Sequence, residues 1–264
     1  MNEINLPETF YFVEGVYFQH GLDKKEAFEK KYLSIREKEN RIYSDDQVSK
    51  LPEISSTHPH FLEWQMRKES MYRLLYYLKS KKIKRILDIG CGNGWLSSHL
   101  AKTKAEVFAL DINEIELKQG SRVFKEMNNL TFLYADVLSN PFKNENLFDL
   151  IVVSSAIQYF PDVRSLLSSL QLLLSDQGEI HILDSPVYQS KTEAVRAKKR
   201  SEEYFNSMGH AWMNYYYFHH TIDQFRLFNF KILYDPASFF SRLKNRFVKA
   251  SPFPWIVIPK SGHP

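Results

Sequence analysis

The chain has 264 residues, 44% of them hydrophobic and 25% charged, which suits one large globular domain with an elaboration better than two equal domains. A net charge of +4, with basic residues scattered among almost as many acids, is too mild to argue for a nucleic-acid target. The single cysteine, Cys91, excludes an internal disulfide, MNEINLPETF lacks the basic start and apolar core of a signal peptide, and LFDLIVVSSAI, cut by Asp149, is far shorter than the roughly 20 residues of a spanning helix. A cytoplasmic protein without a membrane span is expected.

Residues 1–80 are expected to form a helical elaboration, a lid over the rest. KKEAFEKKYLSIREKEN and PHFLEWQMRKESMYRLLYYLKS are helical by pattern, with Pro59 suited to a first turn, and FYFVEGVYF is an aromatic-rich stretch on the lid side. Residues 81–264 form the second unit. There RILDI, EVFALDI, LTFLYAD, FDLIVVSS and EIHILD alternate with GWLSSHLAK, NEIELKQGSRVFKEMN and DVRSLLSSLQLLLS. Near-continuous apolar strands between helices predict a parallel sheet covered on both faces. In the last of those helices Val163, Leu166, Leu167, Leu170, Leu173 and Leu174 recur at spacings of three and four, a core-facing stripe. Further on, SKTEAVRAKKRSEEYFNSMG predicts an exposed helix ended by Gly209, TIDQFRLFNF another helix, and KILYD and WIVIP two strands. Between those strands Phe239, Phe240, Leu243 and Phe247 oppose Arg242, Lys244 and Arg246, a helix expected to pack on the sheet.

Residues 85–101 read RILDIGCGNGWLSSHLA, a strand, a glycine-rich turn and a helix. Glycine reaches left-handed backbone angles and lets a ligand touch the main chain. The turn lies at the carboxyl end of a strand, where open α/β sheets bind ligands. A cofactor loop is therefore expected, but the frame is D-x-G-x-G-x-G rather than G-x-G-x-x-G. Trp95 takes the place of the glycine that a dinucleotide fingerprint uses for close helix packing, which argues against NAD.

The stretch resembles the first motif of class I S-adenosylmethionine-dependent methyltransferases, and the likeness continues in order. VFALDIN puts Asp111 at the end of the second strand, 21 residues after Gly90, FLYADV puts Asp136 after the third, and ADVLSNPFKNENLFDLIVVSSAIQYFPD is similar to the type-11 or UbiE-like branch. Residues 84–185 carry the resemblance tightly. Asn140 stands where that branch usually has Leu, and Gln158 where it often has His. The resemblance implies a Rossmann-like, doubly wound, mostly parallel seven-stranded α/β sheet with helices on both faces, and S-adenosylmethionine as cofactor with S-adenosylhomocysteine as product. It places cofactor contacts at Asp88, Gly90, Cys91, Gly92, Asn93, Gly94, Trp95, Asp111, Ile112, Asp136, Val137 and Ser154. Asp88 would engage the methionine ammonium, Asp111 both ribose hydroxyls and Asp136 the adenine amino group. For Asp111 and Asp136 alone, strand-end capping is the competing reading.

A small-molecule acceptor is expected, because Ser154, Ser155 and Ala156 stand where DNA-base amino methyltransferases carry N-P-P-aromatic. Tyr159, Asp184, Ser185 and Tyr188 occupy the strand ends that would face it, with AWMNYYYFHH opposite. His219 or His220 is a possible base, yet no catalytic residue and no metal ligand is assigned. Cys91 has no histidine nearby in sequence and is not expected to be a nucleophile. The alternatives are a cofactor-binding but non-catalytic partner subunit and an NAD-dependent oxidoreductase.

Overall fold

The computed structural model describes residues 6–23, 26–142, 147–245 and 248–261. A helical turn, α1 (Leu6–Thr9), leads into a hairpin of β1 (Phe10–Val13) and β2 (Val16–Gln19), followed by α2 (Glu26–Lys38), α3 (Asp45–Lys50) and α4 (Phe61–Leu78). The alternating part then runs β3 (Arg85–Ile89), α5 (Trp95–Ala101), β4 (Glu106–Asp111), α6 (Glu114–Val123), β5 (Leu130–Tyr134), β6 (Phe148–Ser154), α7 (Val163–Leu173) and β7 (Leu174–Leu183). After it come β8 (Val187–Tyr188), α8 (Lys191–Ser207), β9 (His220–Thr221), β10 (Lys231–Tyr234), α9 (Phe239–Lys244) and β11 (Trp255–Pro259).

Among the described residues nine strands make one sheet in the order β1-β2-β5-β4-β3-β6-β7-β11-β10. The pairs from β2 through β7 are parallel, while β1–β2, β7–β11 and β10–β11 are antiparallel. From β3 the chain winds outward through β4 to β5 and then returns to β6, so the order reverses between β3 and β6. Such a switch point leaves a crevice at the carboxyl ends of the strands. Leu150, Ile151, Val152 and Val153 of β6 are fully buried, as a strand covered on both faces requires. One face packs against α4, α5 and α6 through Trp64, Leu74, Leu100 and Leu117. The other takes Val163, Leu166, Leu167 and Leu170 of α7, whose first turn is capped by Asp162 accepting from the Arg164 and Ser165 amides.

The seven-stranded expectation is short by two. FYFVEGVYF, read as lid, forms β1 and β2, which add to the β5 edge, so the amino-terminal elaboration is not purely helical. Val13 pairs with Val16 across a two-residue loop of Glu14 and Gly15, both at positive φ. That turn matches the twist of the flanking strands. TIDQFRLFNF is not a helix: a capping box of Thr221 and Gln224 closes one short turn, Ile222–Phe225. Leu174 leaves the α7 stripe to begin β7.

The α9 stripe does not pack on the sheet either, for Phe239 is 75% and Phe240 82% exposed. At that edge α4 already covers the sheet: the Arg73 guanidinium lies 4.2 Å from the Tyr234 ring and the Tyr77 ring 5.6 Å from that of Trp255. Arg246 and Phe247 of the stripe, and residues 143–146 of the polar turn, lie outside the described residues. Among the described residues no helix is long and apolar enough to cross a membrane.

Candidate functional site

A cavity of about 1030 Å³ opens at the carboxyl ends of β3, β4, β5 and β6, roofed by α2, the start of α4, and the segment after α8. Eleven of the twelve residues expected to touch a cofactor line it, and so do Tyr159 and Asp184. Gly94 does not. A Cβ on Gly94 would lie 2.5 Å from the Phe132 ring and one on Gly120 2.6 Å from it, so these glycines let α5 and α6 close on β5. Gly90 likewise abuts Ala156. Only Gly92, at φ +54, has its Cβ direction toward the cavity, where the Glu116 carboxylate is the nearest group at 3.4 Å. The three alternating glycines thus divide their work: two permit packing and one keeps a surface open.

The loop is rigidly tied to β4. Gly90 and Cys91 donate their amides to the Leu110 carbonyl, and Gly92 donates to Asp111 Oδ2 at 2.8 Å. Asp111 Oδ1 accepts from the Ile112 and Asn113 amides at 2.7 and 2.9 Å. Three of the roughly four lone-pair directions of this carboxylate are therefore filled by the main chain. The expectation that Asp111 takes both ribose hydroxyls exceeds that capacity. Glu116, whose Oε2 among the described residues accepts only from the Asn113 side chain at 3.0 Å, stands beside it with directions to spare.

Electrostatically the floor of the cavity is acidic, its carboxylates deeply buried. Burial pushes the Asp88 carboxyl up to about 7, against its hydrogen bond from Ser97 Oγ at 2.6 Å and with help from the nearby Asp111. Burial also lifts Glu116 to about 7, opposed by Arg36. Carboxylates desolvated in this way are stabilised by an arriving cation or by hydrogen-bond donors. Asp136 caps the turn Val137–Ser139 by accepting from the Leu138 amide, so the capping reading holds for it even as it borders the cavity. Gln19 of β2 accepts from the Asp136 amide at 3.2 Å, which couples the hairpin to this loop.

Cys91 is buried, its thiol pushed well up by burial and by the surrounding carboxylates. That is the environment of an inert thiol, not a nucleophile. Trp95 borders the cavity and also packs, its ring 5.1 Å from Trp64 in an edge-to-face arrangement. His220 directs Nε2 at the Phe160 and Ile157 carbonyls, at 2.9 and 3.2 Å. His219 stacks on Tyr188 and contacts Ser201 Oγ at 3.0 Å, its pKa lowered to about 4 mainly by burial. Neither lines the cavity, and no histidine does among the described residues. Tyr188 and Ser185 also stay off its wall, Ser185 being fully buried.

Sequence reading expected a lid but named none of the α2 residues that face the cavity. Glu29, Tyr32 and Arg36 of α2 follow a spacing of three and four and so share a face, but a face of mixed charge in KKEAFEKKYLSIREKEN reads as solvent-exposed. Here it turns inward, because Glu29 Oε1 accepts the Ile115 amide at the start of α6 at 3.0 Å and anchors the helix. From the other side Tyr204, Phe205, Met213, Tyr216 and Tyr217 close the chamber.

A family model described as a methyltransferase domain matches residues 80–226. Phosphoethanolamine N-methyltransferase 1 of Zea mays is 31% identical over 129 residues, 48% of this chain and 26% of that protein. Ubiquinone biosynthesis O-methyltransferase of Vibrio cholerae is 26% identical over 98 residues, 37% of this chain and 40% of that protein. The matched stretch thus spans less than half the length of these curated relatives. Among solved structures, geranyl diphosphate C-methyltransferase from Streptomyces coelicolor, in complex with Mg2+, geranyl-S-thiolodiphosphate and S-adenosylhomocysteine, superposes with a TM-score of 0.54 at 11% identity, over 78% of this chain and 83% of that one. At that identity the likeness is one of fold.

Proposed function

The chain belongs to the methyltransferase-domain family, and from that premise we propose that it transfers a methyl group from S-adenosylmethionine to a small-molecule acceptor by in-line displacement. The observation that carries this reading is a continuous cavity that joins the acidic loop end to a tyrosine-walled chamber. Its volume reaches the upper end of the roughly 300–1,000 Å³ of ligand pockets.

The residues present fit the cofactor. Asp88, buried with no cationic partner among the described residues and its pKa raised to about 7 by that burial, would receive the ammonium end. Asp111 has room for one hydroxyl and Glu116 for the other, Gly92 leaves main chain exposed between them, and Asp136 with Ile112 and Val137 would border the adenine. When bound, S-adenosylmethionine supplies a methyl already activated on a sulfonium, so the protein's task is mainly alignment. For this Tyr159 and Tyr217 wall the chamber, and α2 excludes water from above. No imidazole base takes part in this reading, since His219 and His220 are engaged elsewhere.

The amino-terminal 80 residues act in this reading as the chamber's roof rather than as a plug. They line the cavity through Phe28, Tyr32 and Arg36 without filling it, which favours an enzyme over a non-catalytic partner subunit. The buried thiol of Cys91 suits a reducing, cytoplasmic setting. The test is incubation of the protein with a metabolite pool and methyl-labelled S-adenosylmethionine, followed by mass spectrometry. Label in a small molecule is the expected result. Calorimetry showing no binding of S-adenosylhomocysteine would sink the reading.

A further inference from the structure

The cavity's arginines are not equivalent. Arg41 holds both oxygens of Glu63 at 2.8 and 2.6 Å and lies 3.2 Å from Glu39, while Arg67 reaches Glu63 at 2.9 and 3.1 Å. Both are neutralised, and together with burial's opposing push they leave the Glu63 carboxyl at about 2. Arg36 has no such partner. The carboxylate oxygen paired with it, on Glu39, is 3.9 Å away, beyond hydrogen-bond reach, and its Nε is buried without any partner among the described residues. Glu116 lies within its field but makes no hydrogen bond with it.

Around that guanidinium stand further unmet donors. The Tyr32 ring is 5.6 Å from Arg36 Cζ, Tyr159 lies edge-on to Tyr32 at 6.1 Å, and Tyr217 lies edge-on to Tyr159 at 5.9 Å. No described residue hydrogen-bonds to the hydroxyls of these three tyrosines, all of which line the cavity. Burial raises the pKa of Tyr32 and of Tyr217, so both are O–H donors at neutral pH. Gln158, spent through Nε2 on the Ser155 carbonyl at 2.6 Å, adds one buried, unpartnered acceptor, Oε1. The buried unpaired atoms here are Arg36 Nε and Gln158 Oε1, each costly to leave unmet, and the three part-buried tyrosines add hydroxyls that no described residue engages. A wall with one guanidinium and three phenols against a single amide oxygen is complementary to a group that accepts many hydrogen bonds and carries negative charge.

We propose that the methyl acceptor carries an oxyanion, a carboxylate or a phosphate, and that Arg36 with Tyr32, Tyr159 and Tyr217 forms the subsite that holds it while another part of the molecule is methylated. This rests on the methyltransferase reading above. Anchoring one end of the acceptor fixes the orientation of the other, which alignment-limited chemistry needs.

The test titrates the full chain, saturated with S-adenosylhomocysteine, with phenyl phosphate and with benzoate by calorimetry, using benzyl alcohol as the neutral control. At least one anion is expected to bind in the millimolar range or tighter and benzyl alcohol about tenfold or more weaker. The tighter anion tells phosphate from carboxylate. Arg36→Gln is expected to weaken that anion about tenfold, and Tyr159→Phe a few-fold, with S-adenosylhomocysteine affinity held within about threefold in both. Anion binding unchanged in Arg36→Gln overturns the proposal, as does absence of anion binding at about 10 mM. So does a loss confined to S-adenosylhomocysteine, which would assign Arg36 to the cofactor instead. If Arg36→Gln does not fold, Tyr159→Phe alone decides by the same readings. Failure of the wild-type chain to bind S-adenosylhomocysteine strikes the cofactor reading, and anion titration of the free chain then judges the subsite by itself.

Discussion

The two ends of the cavity are built in opposite ways. The loop end uses short consecutive stretches, residues 88–95, 111–116 and 136–137, each placed by a strand end and held by main-chain hydrogen bonds such as Gly92 to Asp111. The chamber end uses side chains far apart in sequence, Tyr32 and Arg36 on α2, Gln158 and Tyr159 after β6, and Tyr217 after α8, with polar atoms that the chain itself leaves unpaired. An end satisfied by its own backbone is preorganised for one ligand class, whereas an end with open donors takes its definition from what binds there. The contrast suggests that the loop end carries the shared chemistry and the chamber the choice of acceptor.

The largest expected effect breaks the loop end alone. Asp111→Ala should weaken S-adenosylhomocysteine about 100-fold by calorimetry, since it removes a charged acceptor and orphans three amides. The benzoate or phenyl phosphate affinity of the free chain should hardly move. An equal loss at both ends would show that they are not separable.

Next in size is a pair of glycine substitutions. Both Gly92 and Gly94 have positive φ, so alanine costs each about 1–2 kcal/mol of backbone strain. Gly94→Ala also drives a methyl into the Phe132 ring, adding about 1–3 kcal/mol of overpacking. Thermal unfolding should therefore show the larger drop for Gly94→Ala, while Gly92→Ala, at the open position, should lose more cofactor affinity per degree of melting temperature.

A smaller effect follows from the buried acids. Asp88 sits near 7 in the folded chain, so a ligand ammonium is met by the carboxylate only as pH rises. S-adenosylhomocysteine affinity should increase about tenfold from pH 6 to pH 8 in wild type, and not in Asp88→Asn. The ligand-free chain should behave oppositely. Asp88 and Glu116 have raised pKa values when folded, so the folded state binds more protons than the unfolded state between the ordinary carboxylate range and about pH 7. Their stabilising contribution is complete below that range and is lost as pH rises through 7. Denaturant titrations at pH 5 and pH 8 measure the difference.

The smallest expected change tests whether the added hairpin supports the loop end. Gln19→Ala removes the acceptor of the Asp136 amide and should cost about 1 kcal/mol of stability, with a cofactor affinity change of no more than a few-fold. A tenfold loss would give the hairpin a direct place in binding.

Legibility in the sequence followed the same division. The β3 to β7 alternation, the glycine loop and the strand-end positions of Asp88, Asp111 and Asp136 were readable from local periodicity, whereas the cofactor roles of those aspartates came only from the family resemblance. Glu116 was missed although it lies three residues past the helix cap Asn113, since a glutamate in a first helical turn ordinarily signals only dipole stabilisation. The hairpin was missed because FYFV and VYFQ read as one aromatic-rich stretch on the lid side, when their length and the Glu14–Gly15 turn between them already suit paired strands. The α9 phenylalanines misled in the opposite sense, since periodicity says which residues share a face but not whether another element has taken the surface that face would cover.

By itself the sequence determined a parallel α/β sheet with a cofactor-type loop at its switch point, because alternation, glycine and strand-end carboxylates act over a few residues. Only the tertiary structure decided that two of the three loop glycines serve packing, that Asp111 has one lone-pair direction to spare, and that Arg36 faces inward with its Nε unpartnered among the described residues. Those are matters of which distant groups meet and which are left without a partner, and no local pattern encodes them.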